Sequence, residues 1–226
     1  MGLWLEFRRV LFRSGKPFFV GGGQLGFDVG WVGQVSSGQR VDDGQWHHVA
    51  ATRTRGGQVT LFIDGQRAAS RTLASQDDAG HIVRLGYTAT DFMPAFKGAM
   101  DEVQIFQRVL SAKELAALAA GKGPGGAAAH WSFDSLKGAA IANAKGASYT
   151  GTNRGAKIVK GKSGQALQFN GSAQVVITGK VKGKAPAPKS PAANEPVIVA
   201  AVLGGSGLWD LSGGANLRLR IPAASK

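Results

Sequence analysis

Cysteine is absent from the 226 residues. That excludes a disulfide framework and any thiolate metal site. It leaves export open, because a domain of this size folds without covalent staples. No run of about 18 apolar residues occurs, so no helical membrane span is expected. Glutamate is scarce: Glu6, Glu102, Glu114 and Glu195 are the full set. There is no G-x-S-x-G, which removes the nucleophile elbow of a serine hydrolase. Residues 21–23 are three glycines, but no Lys-Ser/Thr and helix follow, so they form no phosphate loop. Acid is missing from residues 135–194, which hold ten basic side chains.

What is there points to β-structure. The length allows one large or two small domains. Hydrophobic residues make up 43% and glycine numbers 34. Short apolar runs between Gly-rich turns are the pattern of an all-β sandwich. The net charge of +13 suggests nucleic acid until its distribution is read. Residues 15–134 balance at 11 basic and 11 acidic, so the excess sits beyond them. Tyr149 and Phe169 are the only aromatics of residues 135–194, too few for base stacking. A solvated basic stretch is the better reading, and no nucleic-acid partner is expected.

Residues 5–14 read LEFRRVLFRS. The string resembles the translation of a short-read sequencing adapter, in which CTC TTC CGA TCT encodes Leu11, Phe12, Arg13 and Ser14. Residues 1–14 are therefore set aside from fold reasoning. The first domain, residues 15–120, is expected to be truncated on its N-terminal side.

From residue 17 to 105 the chain is a string of short strands. Residues 18–20, 24–29 and 30–35 are apolar runs cut by glycine. Asp43-Gly44 and Arg55-Gly56-Gly57 are turns. Residues 46–52 (WHHVAAT) alternate, which puts His47 and His48 on opposite faces. Residues 58–63 (QVTLFI) alternate again and end at Asp64-Gly65, a hairpin signal. Residues 82–85 and 98–106 are further strands. Asp101-Glu102 breaks the alternation of the second and predicts a bulge. Residues 111–119 (SAKELAALA) read as a helix with a capping box, Ser111 to Glu114. Residues 121–129 are a linker. A second region, 130–178, opens with HWSFD, and residues 165–170 and 174–177 are strands within it. Residues 179–196, rich in Pro and Lys, form a semi-rigid linker or disorder. Residues 197–226 carry two strand-like runs, 197–203 and 216–221.

Several of these segments fit one pattern in order: DGQWHHVAATRTRGGQVTLFIDGQ, then IVRLGY, then FKGAMDEVQIFQRVLSAKELAAL. Together they resemble the second half of a laminin-G-like, concanavalin A-like jelly-roll domain. HWSFD and GKSGQALQFNGSAQVVI resemble the opening of a second copy. The resemblance covers residues 17–178 and implies an all-β jelly-roll sandwich with one short C-terminal helix. In such a sandwich the first and last strands lie side by side. The front half of the second repeat is thus placed to complete the back half of the first, as in a circular permutant. Residues 197–226 do not continue the pattern and are assigned to an unknown domain of a larger parent.

Candidate chemistry is thin. The four histidines are His47, His48, His81 and His130, and adjacent residues of one strand cannot share a metal ion. Some folds of this superfamily are glycanases, which need two carboxylates converging across a cleft. The pairs here are Asp42-Asp43, Asp77-Asp78 and Asp101-Glu102, and the family's E-x-D-x-x-E strand signature is absent. No catalytic residue and no cofactor is expected. Calcium is the ligand the resemblance brings with it, through Asp64, Asp77, Asp78 and Asp91 in or beside loops. The preferred reading is that Asp64 serves its own turn by bonding its own backbone. Trp31, Tyr87 and Phe92 are candidates to stack on sugar rings, although Trp31 and Trp46 fit a core. The resemblance implies a non-catalytic module that binds a glycan or an extracellular protein, within an exported or cell-surface bacterial protein. The alternatives are a structural spacer of a multidomain enzyme and a glycan hydrolase.

Overall fold

The computed structural model describes residues 18–29, 32–54, 56–74, 83–86, 96–136, 138–178 and 197–209. The elements are β1 (Phe18–Gly21), β2 (Gln24–Asp28), β3 (Gln34–Arg40), β4 (His47–Arg53), β5 (Gln58–Ile63), β6 (Gln66–Thr72), β7 (Val83–Leu85) and β8 (Lys97–Phe106). Then come helix α1 (Ala112–Ala119), β9 (Ala127–Trp131), β10 (Ala140–Asn143), β11 (Gly146–Arg154), β12 (Lys157–Lys160), β13 (Gln165–Asn170), β14 (Gln174–Thr178) and β15 (Val197–Trp209). The pairings among them are antiparallel. An 11-stranded sheet faces a 4-stranded sheet of order β10-β11-β14-β7. Ile141, Tyr149, Val175 and Ile177 of the smaller sheet share one buried cluster with Val49, Leu61, Met100 and Ile105 of the larger. This is a concanavalin A-like β-sandwich with a single helix among the described residues.

The larger sheet is organised by two long strands. β8 pairs with β13 over Lys97–Met100 and with β9 over Val103–Phe106. The change of partner falls at the Asp101-Glu102 bulge, where Glu102 takes φ 52°. Opposite it, the three steps of β8 from Asp101 to Gln104 are matched by only two steps of β15, from Val202 to Ala200. The extra residue bends the strand so that each half meets a different neighbour. On its other edge β15 pairs with β4 and then with β1, and the sheet forks there into arms β1-β2-β3 and β4-β5-β6. The arms face each other, and Arg71 of β6 donates to the Gln34 carbonyl of β3 at 2.8 Å.

Residues 127–178 are therefore built into the same sandwich as residues 18–120. Leu167 lies opposite Met100, and Trp131 opposite Val103. Residues 197–209, which the sequence leaves outside the module, form the strand between β4 and β8. The run 216–221 lies outside the described residues. Three strands escape the sequence pattern: β10, β11 and β12. β11 is GASYTGTNR, with little apolar content to betray it. Small residues let it pack closely: a Cβ on Gly151 would meet Ile177 Cδ1 at 2.8 Å. β12, KIVK, ends the larger sheet, and lysines on such an edge discourage further strand pairing.

α1 begins at a full capping box. The Ser111 hydroxyl accepts from the Glu114 N–H at 3.3 Å, and the Glu114 carboxylate accepts from the Ser111 N–H at 2.8 Å. Arg108 adds an ion pair at 2.6 Å and is the main reason the Glu114 carboxyl is held down to about 2. Leu115 and Leu118 pack with Ala50, Phe62, Phe106 and Leu110 on the outer face of the larger sheet. β4 is thus covered on both faces: Val49 and Ala51 enter the main core, while Ala50 faces the helix.

Candidate functional site

The outer face that carries α1 also carries a groove of about 600 Å³ beside the helix's C-terminal end. Alternation on β4 sends His48 to this side with Ala50. Trp46, just before β4, and Asp64, at the β5–β6 turn, complete one wall. Glu102 and Gln104 of β8 form the other, and Lys162 and Ser163 close the end. The backbone of β15 separates the two walls, with Val202 in register with both His48 and Asp101.

The carboxylates on the walls have traceable partners, and one buried polar group does not. Asp64 and Gly65 take φ 50° and 79°, the two positive values of a two-residue hairpin turn. The Asp64 carboxylate does not bond its own backbone, as the sequence suggests. It accepts from the His48 N–H at 2.9 Å and lies 2.8 Å from His47 Nδ1. The reason is register: β4 and β5 pair up to Val49–Ile63, so Asp64 extends that ladder by one rung with its side chain. His47 Nε2 meets Asp43 at 3.0 Å. Burial pulls the His47 pKa down, but hydrogen bonds to Asp64 and Asp43 outweigh it and leave it raised. Glu102 pairs with His130 Nε2 at 2.6 Å, since His130 sits opposite Gln104 on β9.

The exception is His48. It is 6% exposed, and neither ring nitrogen has a hydrogen-bond partner. Burial is the main cause that lowers its pKa to about 4, with Asp64 pulling weakly the other way. The ring is neutral at physiological pH.

The end of the groove is fastened by two carboxylates. Asp101, fully buried, accepts from the Glu102 N–H at 2.8 Å and the Ser163 N–H at 2.9 Å. Asp134, from the WSFD stretch, accepts from the Gln165 N–H at 2.8 Å. Burial, with Glu102 and Asp134 nearby, pushes the Asp101 carboxyl up to about 6 despite those two N–H donors. A carboxyl raised from 3.8 to about 6 holds its proton more tightly in the folded state. Its contribution to stability is therefore full below pH 4 and fades as pH rises toward 6. The gap in urea midpoint between the wild type and Asp101→Asn is expected to shift against the wild type across that window. A gap that is flat from pH 4 to 6 contradicts the assignment.

The other sequence candidates fall elsewhere. Asp42 pairs with Arg40 at 2.7 Å on the surface, and Glu114 caps α1. Trp31, Asp77, Asp78, His81, Tyr87, Asp91 and Phe92 lie outside the described residues, as do Glu6 and Glu195. Calcium binding by Asp77, Asp78 and Asp91 is thus an expectation on undescribed residues. Among the described residues no three His, Asp or Glu side chains gather as a metal site, and no helix is long and apolar enough to cross a membrane. Sequence reasoning named His48, Asp64, Glu102 and His130 singly but not as neighbours. The available signal was a polar residue at an alternation break, Glu102, and a histidine inside an apolar strand, His48.

A two-sheet antiparallel sandwich with a groove on its helix-bearing face defines a lectin-like jelly-roll domain. The family model of the concanavalin A-like lectin/glucanases superfamily matches residues 6–116, and the chain carries a laminin-G-like domain of that superfamily. Such domains are in general carbohydrate- or protein-binding modules, and the superfamily also includes glycan hydrolases. Comparison with curated proteins and with solved structures gave no match.

Proposed function

We propose that the chain is a non-catalytic, carbohydrate-binding module that takes its ligand in the groove between Trp46, His48 and Glu102. The observation that carries this reading is the groove itself: an indole beside side chains that can exchange hydrogen bonds with hydroxyls. Amphipathic sugar rings call for that combination of an aromatic wall and a few fixed polar groups. The module belongs, in this reading, to a larger exported bacterial protein that acts outside the cell or at its surface.

The carboxylates favour binding over hydrolysis. Glycosidase chemistry needs two of them facing the scissile bond, one with a raised pKa. The carboxyl that burial raises, Asp101, is enclosed and bonded to two backbone N–H groups. Glu102 is paired with His130, and Asp64 with His47 and the His48 backbone. A glycan array probed with the full chain should give specific binding. Trp46→Ala should weaken it by about tenfold, the worth of one aromatic contact, without moving the unfolding midpoint. A well-folded chain that binds nothing supports a structural spacer instead. Hydrolysis that is lost in Glu102→Gln supports a glycan hydrolase.

A further inference from the structure

We propose that His47 is a pH-operated latch on the groove: protonated, it ties the connection before β4 to the β5–β6 turn and holds Trp46 in the wall; deprotonated, it lets go of Asp43. The latch is a property of the unliganded protein, so it stands or falls apart from the carbohydrate reading above.

The geometry of the ring comes first. Nδ1 lies 2.8 Å from the Asp64 carboxylate, and Nε2 lies 3.0 Å from the Asp43 carboxylate. An ionised carboxylate only accepts, and a neutral imidazole has a single N–H. Both contacts are hydrogen bonds only when both nitrogens carry a proton, so the arrangement is that of an imidazolium. The Gln45 N–H, and after it His47, hold the Asp43 carboxyl below its usual range, so it is ionised at neutral pH. The His47 side chain is 15% exposed, which lets the ring exchange its proton with water.

The two ties are not equally anchored. The Asp64 carboxylate also accepts from the His48 N–H, and the Asp64 N–H donates to the His48 carbonyl at 2.7 Å. Asp43 is exposed, and its bond from the Gln45 N–H at 2.9 Å stays within its own turn. When the ring loses a proton, the remaining N–H stays with Asp64. Nε2 then turns a lone pair toward Asp43, and that contact becomes repulsive. Trp46 lies between Asp43 and His47 in the chain and lines the groove, so release of Asp43 loosens the wall it forms. The change is confined to residues 42–46, because Val41 is buried and donates its N–H to the Gly23 carbonyl at 2.8 Å.

The charges around His47 leave the decision to these two aspartates. β5 and β15, the strands on either side of β4, carry no titratable residue. Asp42 is paired with Arg40, and Arg67 of β6 lies opposite Phe62. On α1, which packs beside Gly65, Glu114 is paired with Arg108 and Lys113 is exposed. His48 faces the other side of β4 and is neutral near pH 7. Burial opposes the charge on His47, but Asp64 and Asp43 outweigh it and raise the pKa above the ordinary 6.5. Both ties are therefore complete below 6.5, and one is lost as pH climbs through the folded value.

The test titrates the ¹⁵N-labelled full chain from about pH 5.5 to 8.5, the range in which histidines change charge. The Trp46 indole N–H, identified by its loss in Trp46→Phe, should shift with the same midpoint as the His47 ring, above 6.5. Asp43→Asn should hold the latch shut, because an amide donates to a bare Nε2 and accepts from a protonated one. In that variant the His47 midpoint should fall and the Trp46 shift should vanish, although His47 still titrates. The wild-type titration decides alone if the variant fails to fold. A Trp46 signal that stays flat while His47 titrates overturns the latch. So does a wild-type His47 midpoint below 6.5, or a Trp46 shift that persists unchanged in Asp43→Asn.

Discussion

A chain ending at Ala120 is expected to show no cooperative unfolding transition, although its residues match the family model almost to the end. Truncation there strips β8 of β9 and β13 on one edge and of β15 on the other. It also removes Trp131, Phe133, Ile141, Tyr149, Leu167, Phe169, Val175 and Ile177 from the main core. Each such side chain is worth roughly 1.5–3 kcal/mol on burial. The sum, roughly 12–24 kcal/mol, is as large as or larger than the whole stability of a typical domain, about 5–15 kcal/mol. Met100, Val103 and Ile105 would be left facing water beside open strand edges, a state prone to aggregation. Urea titration followed by tryptophan fluorescence makes the comparison. A sigmoidal transition in the truncated chain, as steep as that of the full one, would show that residues 18–120 fold without the rest.

The second large effect is expected from a single methyl group. Gly86→Ala should lower stability by about 2–5 kcal/mol, from left-handed strain and overpacking together. Gly86 sits at φ 83°, and a Cβ there would run into the ring of Phe169. That ring has nowhere to go. It is 1% exposed and packs edge-on against Phe96 with centroids 5.9 Å apart. Phe96 in turn donates its N–H to the Gly86 carbonyl at 2.8 Å, so the backbone cannot retreat either. Gly121→Ala is the control. Its φ is 72°, but a Cβ there meets open space, so it should cost the strain alone. Equal losses of melting temperature in the two variants would mean that the contact with Phe169 is unimportant. The contact joins residue 86 to residue 169, so the experiment also probes how the first part of the chain is held to the second.

Much of this was legible along the chain. Alternation in WHHVAAT and QVTLFI placed β4 and β5, and Asp64-Gly65 marked the turn that follows. Ser111 and Glu114 announced α1, because a capping box is a contact between residues three apart. The break at Asp101-Glu102 announced the bulge. These features are local, so a few neighbouring side chains decide them. The combination of segments was enough for the laminin-G-like domain, since their order and spacing carry more than any one of them.

The partners of the strands were decided only in three dimensions. Alternation says which residues share a face, but backbone hydrogen bonds are alike in every strand and do not name their neighbour. Hence β15, whose sequence continued no family pattern, fills the gap between β4 and β8. Hence also β11, too small and polar to read as a strand, fills the smaller sheet between β10 and β14 and buries Tyr149. The groove has the same origin. Residues 46 and 48 share one face of a single segment, but 64, 102 and 162 come from other strands and turns, and tertiary packing alone brings them there. The sequence by itself set the faces of β4, and so the side on which His48 lies. Whether that side met water or protein was settled by α1 folding over it, because a strand covered on both faces alternates just as one covered on one face does.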